Sequence, residues 1–194
     1  MTTESATALA EARIRESAAA IEALLDPACL AALSDAAERM AAAVHGGGKV
    51  LLFGNGGSAA DATHIAAELV GRFLADRRAL PALSLSDNTS AVTAIGNDYG
   101  YEHVFARQVE AHAAAGDVAL GISTSGRSAN VLAGLATARR LGLVTIGLTG
   151  ADGGPMAEST DVCLRVPADT TPRIQEAHTV VAHILCELIE RGIR

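Results

Sequence analysis

The chain of 194 residues has no tryptophan, and only 3% of it is aromatic. Its 49% hydrophobic content therefore rests mainly on Ala, Leu, Val and Ile, small side chains that let helices approach closely within or between subunits. Cysteine is scarce too. Cys29, Cys163 and Cys186 are odd in number, widely spaced and free of any CxxC pair, which reads as reduced, mostly buried thiols of a cytoplasmic protein rather than a disulfide framework. No basic run offers phosphates a footprint, and the net charge of −7 disfavours nucleic acid and anionic membranes as partners. No apolar stretch reaches the ~18 residues of a membrane span. The first residues, with Glu4, Glu11 and Arg13, lack the basic start and apolar run of a secretory signal. Tandem repeats and low-complexity linkers are absent, and the length suits one domain.

What is present begins with residues 117–130. An apolar run, Val118 to Ile122, leads into the turn Ser123-Thr124-Ser125-Gly126-Arg127-Ser128, and a helical pattern follows from about Ala129 to Leu141. Hydroxyls and free backbone N–H groups at a helix start suit a phosphate. One N-cap needs a single hydroxyl, so four within six residues point past capping to an anion site. No Lys follows Gly126 in the P-loop position, so the phosphate is held rather than transferred.

Around this turn the pattern alternates. Strands are expected at 49–53, 82–85, 117–122, 143–148 and 162–166. Helices are expected at 58–74, 88–96, 103–114, 129–141, 154–158 and 172–192. Five apolar strands separated by helices predict a parallel sheet covered on both faces, occupying 46–194. Two helical stretches, 3–25 and 27–45, precede it as an arm, with Pro27 suited to start the second. Such an arm serves oligomerisation or folds back on its own sheet.

The first strand ends in Gly54-Asn55-Gly56-Gly57-Ser58. This lacks the third glycine of a dinucleotide fingerprint, and no acidic residue ends the second strand. Two Gly/Ser turns at the carboxyl ends of parallel strands instead fit one small polar ligand at a switch point. The helix after the first turn carries His64 and Glu68 at i, i+4, with Asp61 one turn before His64. A surface His–Glu pair and a metal or catalytic pair are both consistent with that spacing. In the last helix His183 lies amid apolar residues, as a core histidine would. Gln175 is eight residues earlier, about 12 Å along a regular helix, so the two share a ligand only through a distorted helix or different subunits. His178 is nearer to Gln175.

Five segments together resemble a known family. They are Gly54-Asn-Gly-Gly-Ser-Ala-Ala-Asp61, His64-Ile-Ala-Ala-Glu68-Leu-Val-Gly-Arg72-Phe, Ala94-Ile-Gly-Asn97-Asp98-Tyr-Gly, Ser123-Thr-Ser-Gly-Arg-Ser128 and Arg173-Ile-Gln-Glu-Ala-His178. In order and spacing, over nearly the whole chain, they resemble the sedoheptulose 7-phosphate isomerases, the phosphoheptose isomerase branch of the sugar isomerase (SIS) domain proteins. The resemblance implies a three-layer α/β/α sandwich with a five-stranded parallel, flavodoxin-like sheet. It implies a cytoplasmic homotetramer with active sites at subunit interfaces, a phosphorylated seven-carbon sugar as substrate, and one Zn²⁺ per subunit on His64, Glu68, Gln175 and His183. Glu68 and His183 match the proposed acid/base residues. Asn55, Gly56, Gly57, Ser58, Arg72, Asn97, Asp98, Ser123, Thr124, Ser125, Ser128 and Gln175 match substrate-contacting positions, Glu68 among them. Pro172 stands where some relatives carry an acidic residue, with Asp169 three residues earlier.

The implied reaction interconverts a ketose and an aldose phosphate through an enediolate and supplies nucleotide-activated heptose for lipopolysaccharide or other surface glycans. A non-catalytic member of the same fold, either a partner of the replication initiator DnaA or a sugar-phosphate sensor, is the alternative. The presence of both Glu68 and His183 speaks against it.

Overall fold

A computed structural model of the protein describes residues 5–192. Five apolar runs form the strands β1 (Val50–Gly54), β2 (Ala82–Ser84), β3 (Val118–Ile122), β4 (Val144–Thr149) and β5 (Val162–Arg165). All pair in parallel, in the order β2-β1-β3-β4-β5. Alternation along each strand divides the core. Val50, Leu52, Leu120 and Ile146 face one layer, while Leu51, Phe53 and Ala119 face the other. The result is the expected α/β/α sandwich.

The first layer holds α1 (Ala6–Glu22), α2 (Pro27–His45), α3 (Gly57–Val70) and α8 (Thr171–Gly192). The second holds α4 (Thr89–Tyr99), α5 (Val104–His112), α6 (Ala129–Arg140) and α7 (Gly154–Ser159). Asp26 caps α2, accepting from the N–H groups of Ala28 and Cys29, with Pro27 in the first turn.

Two expectations are corrected. The stretch 27–45 is not an arm standing off the sheet: α2 buries Leu33, Ala36, Met40 and Val44 in the core beside β5 and α8. Only α1 keeps an arm-like character, with Ala20 its sole buried residue and Ile14 70% exposed. Residues 3 and 4 of the expected first helix lie outside the described residues. The helix expected at 58–74 ends at Val70, and residues 71–80 form an irregular segment before β2.

Among the described residues, no single helix is long and apolar enough to cross a membrane. Cys29, Cys163 and Cys186 are all unpaired, and burial pushes the Cys186 thiol up to about 12.

Candidate active site

The sheet order makes the site. β1 connects outward to β2 on one side, and the chain then returns to lay β3 on the other, so the carboxyl ends of β1 and β3 meet at a switch point. There Gly54 pairs with Ile122, bringing the turn at 55–57 beside the turn at 123–128.

An amide pair bridges the two turns. Asn55 Nδ2 donates to Asn130 Oδ1 and Asn130 Nδ2 returns the bond to Asn55 Oδ1, both at 2.8 Å, while the Tyr101 hydroxyl adds a third at 3.1 Å. Asn55 is thus tied into the framework of the site. Asn130 and Tyr101 escaped the sequence reading, because their role depends on β1 and β3 being neighbours, which no local pattern announces. Ser58, expected to meet substrate, is buried.

In the serine turn, Ser123 Oγ lies 2.9 Å from Ser128 Oγ, and Ser125 Oγ accepts from the Arg127 N–H. Ser128 occupies the N-cap position of α6, yet its side chain caps nothing. The hydroxyls of this turn are therefore not consumed in ending a helix. Gly126 has φ 63°, and a Cβ there would stand 1.9 Å from the Gly153 carbonyl oxygen, so only glycine lets the turn close against the loop after β4. The hollow beside the turn, about 160 Å³, is lined by Thr124, Ser125, Arg127, Asp152 and Asp169 among others. That is smaller than the ~300 Å³ at the low end of ligand pockets, and suits one end of a ligand.

The second cluster lies where α3 and α8 run side by side. His64 Nε2 is 3.2 Å from Glu68 Oε1, and the His183 ring stands edge-on to the His64 ring at 5.0 Å between centroids. The Phe73 ring also packs on His183, with 5.6 Å between centroids and the planes tilted by 33°. Glu68, His64 and His183 are partly exposed, as groups that meet a ligand must be.

Gln175 does not join them. It lies against Gly57, where an added Cβ would be 2.3 Å from its Nε2, and α8 runs unbroken from there to His183. Among the described residues no three His, Cys, Asp or Glu side chains are arranged to hold a metal ion. The four expected zinc ligands of one chain therefore do not fit a single ion, although His64, Glu68 and His183 neighbour one another.

Asp61 and Thr179 sit between the two positions, with Thr179 Oγ1 donating to Asp61 Oδ1 at 3.5 Å and Asp61 Oδ2 buried without a partner. Burial raises the Asp61 carboxyl, and Thr179 and His64 only partly offset it. No hydrogen bond joins Asp61 to His64. Asn97 and Asp98 are exposed on α4, hydrogen-bonded to each other rather than to either turn, and Arg72 is exposed just past the end of α3.

The profile of the SIS domain matches residues 7–150. The chain is 55% identical to a phosphoheptose isomerase of Rhodospirillum rubrum over 165 residues, 85% of this chain and 88% of the relative. The structure of the phosphoheptose isomerase GmhA from Neisseria gonorrhoeae superposes with a TM-score of 0.88 at 45% identity, covering 95% of this chain and 99% of that one. A phosphoheptose isomerase from Francisella tularensis gives 0.91 at 36% identity, covering 97% and 100%.

Proposed function

The chain belongs to the SIS-domain family, among its phosphoheptose isomerases, and from that premise we propose that it interconverts sedoheptulose 7-phosphate and D-glycero-D-manno-heptose 7-phosphate. The reaction is an aldose–ketose isomerisation, the first step towards nucleotide-activated heptose. The observation that carries it is the grouping of Glu68, His64 and His183 in a fold that also presents the serine turn.

The serine turn holds the phosphate through the hydroxyls of Ser123, Thr124, Ser125 and Ser128 and the start of α6. Glu68 takes the proton from the carbon next to the carbonyl, an enediolate forms, and the proton returns at the neighbouring carbon. His183 moves protons at the oxygens. His64, beside Glu68, orients the carboxylate.

Zinc is part of the same proposal: two imidazoles and a carboxylate are ordinary zinc donors, and His64, Glu68 and His183, which are not arranged around an ion within this chain, would have to close up to hold it. When bound it supplies Lewis acidity to a developing oxyanion.

Gln175 and His183 stand about 12 Å apart along α8, so the acid–base cluster of one chain is set away from its own serine turn. That separation supports a homotetramer in which turn and cluster of different chains meet at an interface. The unpaired thiols support a cytoplasmic setting.

The test is Glu68→Gln and His183→Gln. Each variant should keep the fold and lose ~10²–10⁴-fold in kcat, together with solvent hydrogen exchange at the substrate carbon. Near-normal isomerisation by either variant removes that residue from the acid–base pair.

A further inference from the structure

Arg77 and Glu190 form a buried ion pair at 3.0 Å, their side chains only 8% and 3% exposed. Neither was singled out in the sequence, and neither touches the serine turn. Their remaining bonds give the pair its interest. Arg77 Nη2 donates to the backbone carbonyl of Glu68 at 2.9 Å, and Nη1 to those of Leu69 and Gly71 at 3.0 and 3.2 Å. These are carbonyls that the end of α3 leaves without helical partners. Glu190 accepts the backbone N–H groups of Phe73, Leu74 and Ala75 at 3.3, 3.1 and 2.8 Å.

One guanidinium and one carboxylate thus replace the helical bonds that a helix through residue 74 would have made. They fold residues 71–77 across the end of α3 and onto α8. Burial alone would raise the Glu190 carboxyl, but the three N–H groups and Arg77 outweigh it, so the group stays ionised.

We propose that the Arg77–Glu190 clamp is a positioning device for the acid–base cluster. It fixes the Glu68 backbone from below through Arg77, and it sets Phe73 against the face of His183 through the segment that Glu190 binds. Glu190 itself lies on α8 two turns after His183. The clamp therefore locks together the two helices that carry the base and the acid. The geometry needs arginine, because one planar fork reaches the carboxylate and several carbonyls at once, and an ammonium cannot. The proposal rests on Glu68 and His183 being the acid–base pair.

Arg77→Lys keeps the charge beside Glu190 and removes the fork. The expected result is a folded protein whose kcat for sedoheptulose 7-phosphate falls about tenfold to hundredfold, the scale of a roughly 1 Å misplacement. KM should stay within about twofold, since the phosphate turn is untouched. In protein labelled with ¹³C-histidine, the His183 ring-proton signal should move as the Phe73 ring shifts. Phe73→Leu, which leaves the fork intact, should move the same signal and lower kcat in the same direction. This second variant keeps the test open if Arg77→Lys does not fold.

An unchanged kcat in a folded variant overturns the proposal, whether or not the signal moves. A fall in kcat with the His183 signal in place overturns it as well, because the effect then runs by another route. Failure of the acid–base reading shows separately, as turnover by Glu68→Gln.

Discussion

His178 is fully buried on α8, and both of its ring nitrogens lack a hydrogen-bond partner. Burial lowers its pKa from the ordinary 6.5 to about 4; the Thr149 backbone, near the ring but outside good hydrogen-bond geometry, pulls the other way too weakly to reverse this. The folded protein therefore keeps the ring neutral where the unfolded chain would protonate it. Stability rises with pH wherever the unfolded state binds more protons. This group's contribution is therefore complete above pH 6.5 and is lost as pH falls from 6.5 towards 4. At 1.36 kcal/mol per pH unit, the full loss is about 3 kcal/mol, of which about 2 kcal/mol is gone by pH 5. The difference between the parent and a variant lacking this imidazole isolates its share of the pH dependence. Urea midpoints at pH 7.5, 6, 5 and 4.5 for the parent and for His178→Leu would measure it. Leucine fills a similar space without a titrating group or unpartnered nitrogens. The parent should lose about 2 kcal/mol more than the variant between pH 7.5 and pH 5. Equal slopes for the two proteins would show that burial does not hold the ring neutral.

Two further predictions concern the turn and the assembly. Ser125→Ala and Ser128→Ala should each raise KM roughly tenfold or more while changing kcat little, because a hydroxyl on phosphate binds ground and transition states alike; an unchanged KM in both variants would take the phosphate away from this turn. Chains carrying Glu68→Gln, co-assembled with chains carrying Ser125→Ala and Ser128→Ala, should regain activity at low substrate if turn and cluster of different chains make one site. Mixtures no more active than the sum of their parents would place both in the same chain.

The strands were legible to within a residue or two, because each is a short apolar run closed by a turn. The end of α3 was not. Leu69, Val70, Phe73 and Leu74 continue the apolar spacing, so the pattern reads on through residue 74. The chain leaves the helix at Gly71, and the groups this frees are taken up by the Arg77–Glu190 clamp, whose partners are 113 residues apart. The same holds for Asn130, whose carboxamide means nothing locally and becomes a bridge only when β1 and β3 are neighbours. For α2, an Ala-rich stretch ahead of the first strand gives no sign of whose surface it covers; the burial of Met40 and Val44 answers that. The serine turn was legible because its residues are contiguous, and the His64–Glu68–His183 cluster only in halves, because it is assembled from two helices.

How α3 and α8 are matched accounts for the separation of Gln175 from the His64–Glu68–His183 cluster. The two helices run parallel with a nearly constant offset: Gly57 lies against Gln175, Asp61 against Thr179 and His64 against His183, and just past the end of α3 the Phe73 N–H reaches Glu190. Parallel packing at fixed offset keeps every pair at its own level along the axis. Gln175 therefore belongs to the level of the glycine turn, near the carboxyl edge of the sheet, where Gly54 pairs with Ile122. His183 belongs two turns further along, with His64 and close to Glu68. Bringing Gln175 down to that cluster would require α8 to bend or slide against α3 by about 12 Å. The clamp at the far end, the His64–His183 contact in the middle and the Gly57 contact at the start all oppose such a slide. The packing thus fixes two levels in each chain, the Gly57–Gln175 contact at the sheet edge and the His64–Glu68–His183 cluster two turns away, and the homotetramer proposed above is the arrangement that could join them without deforming either helix.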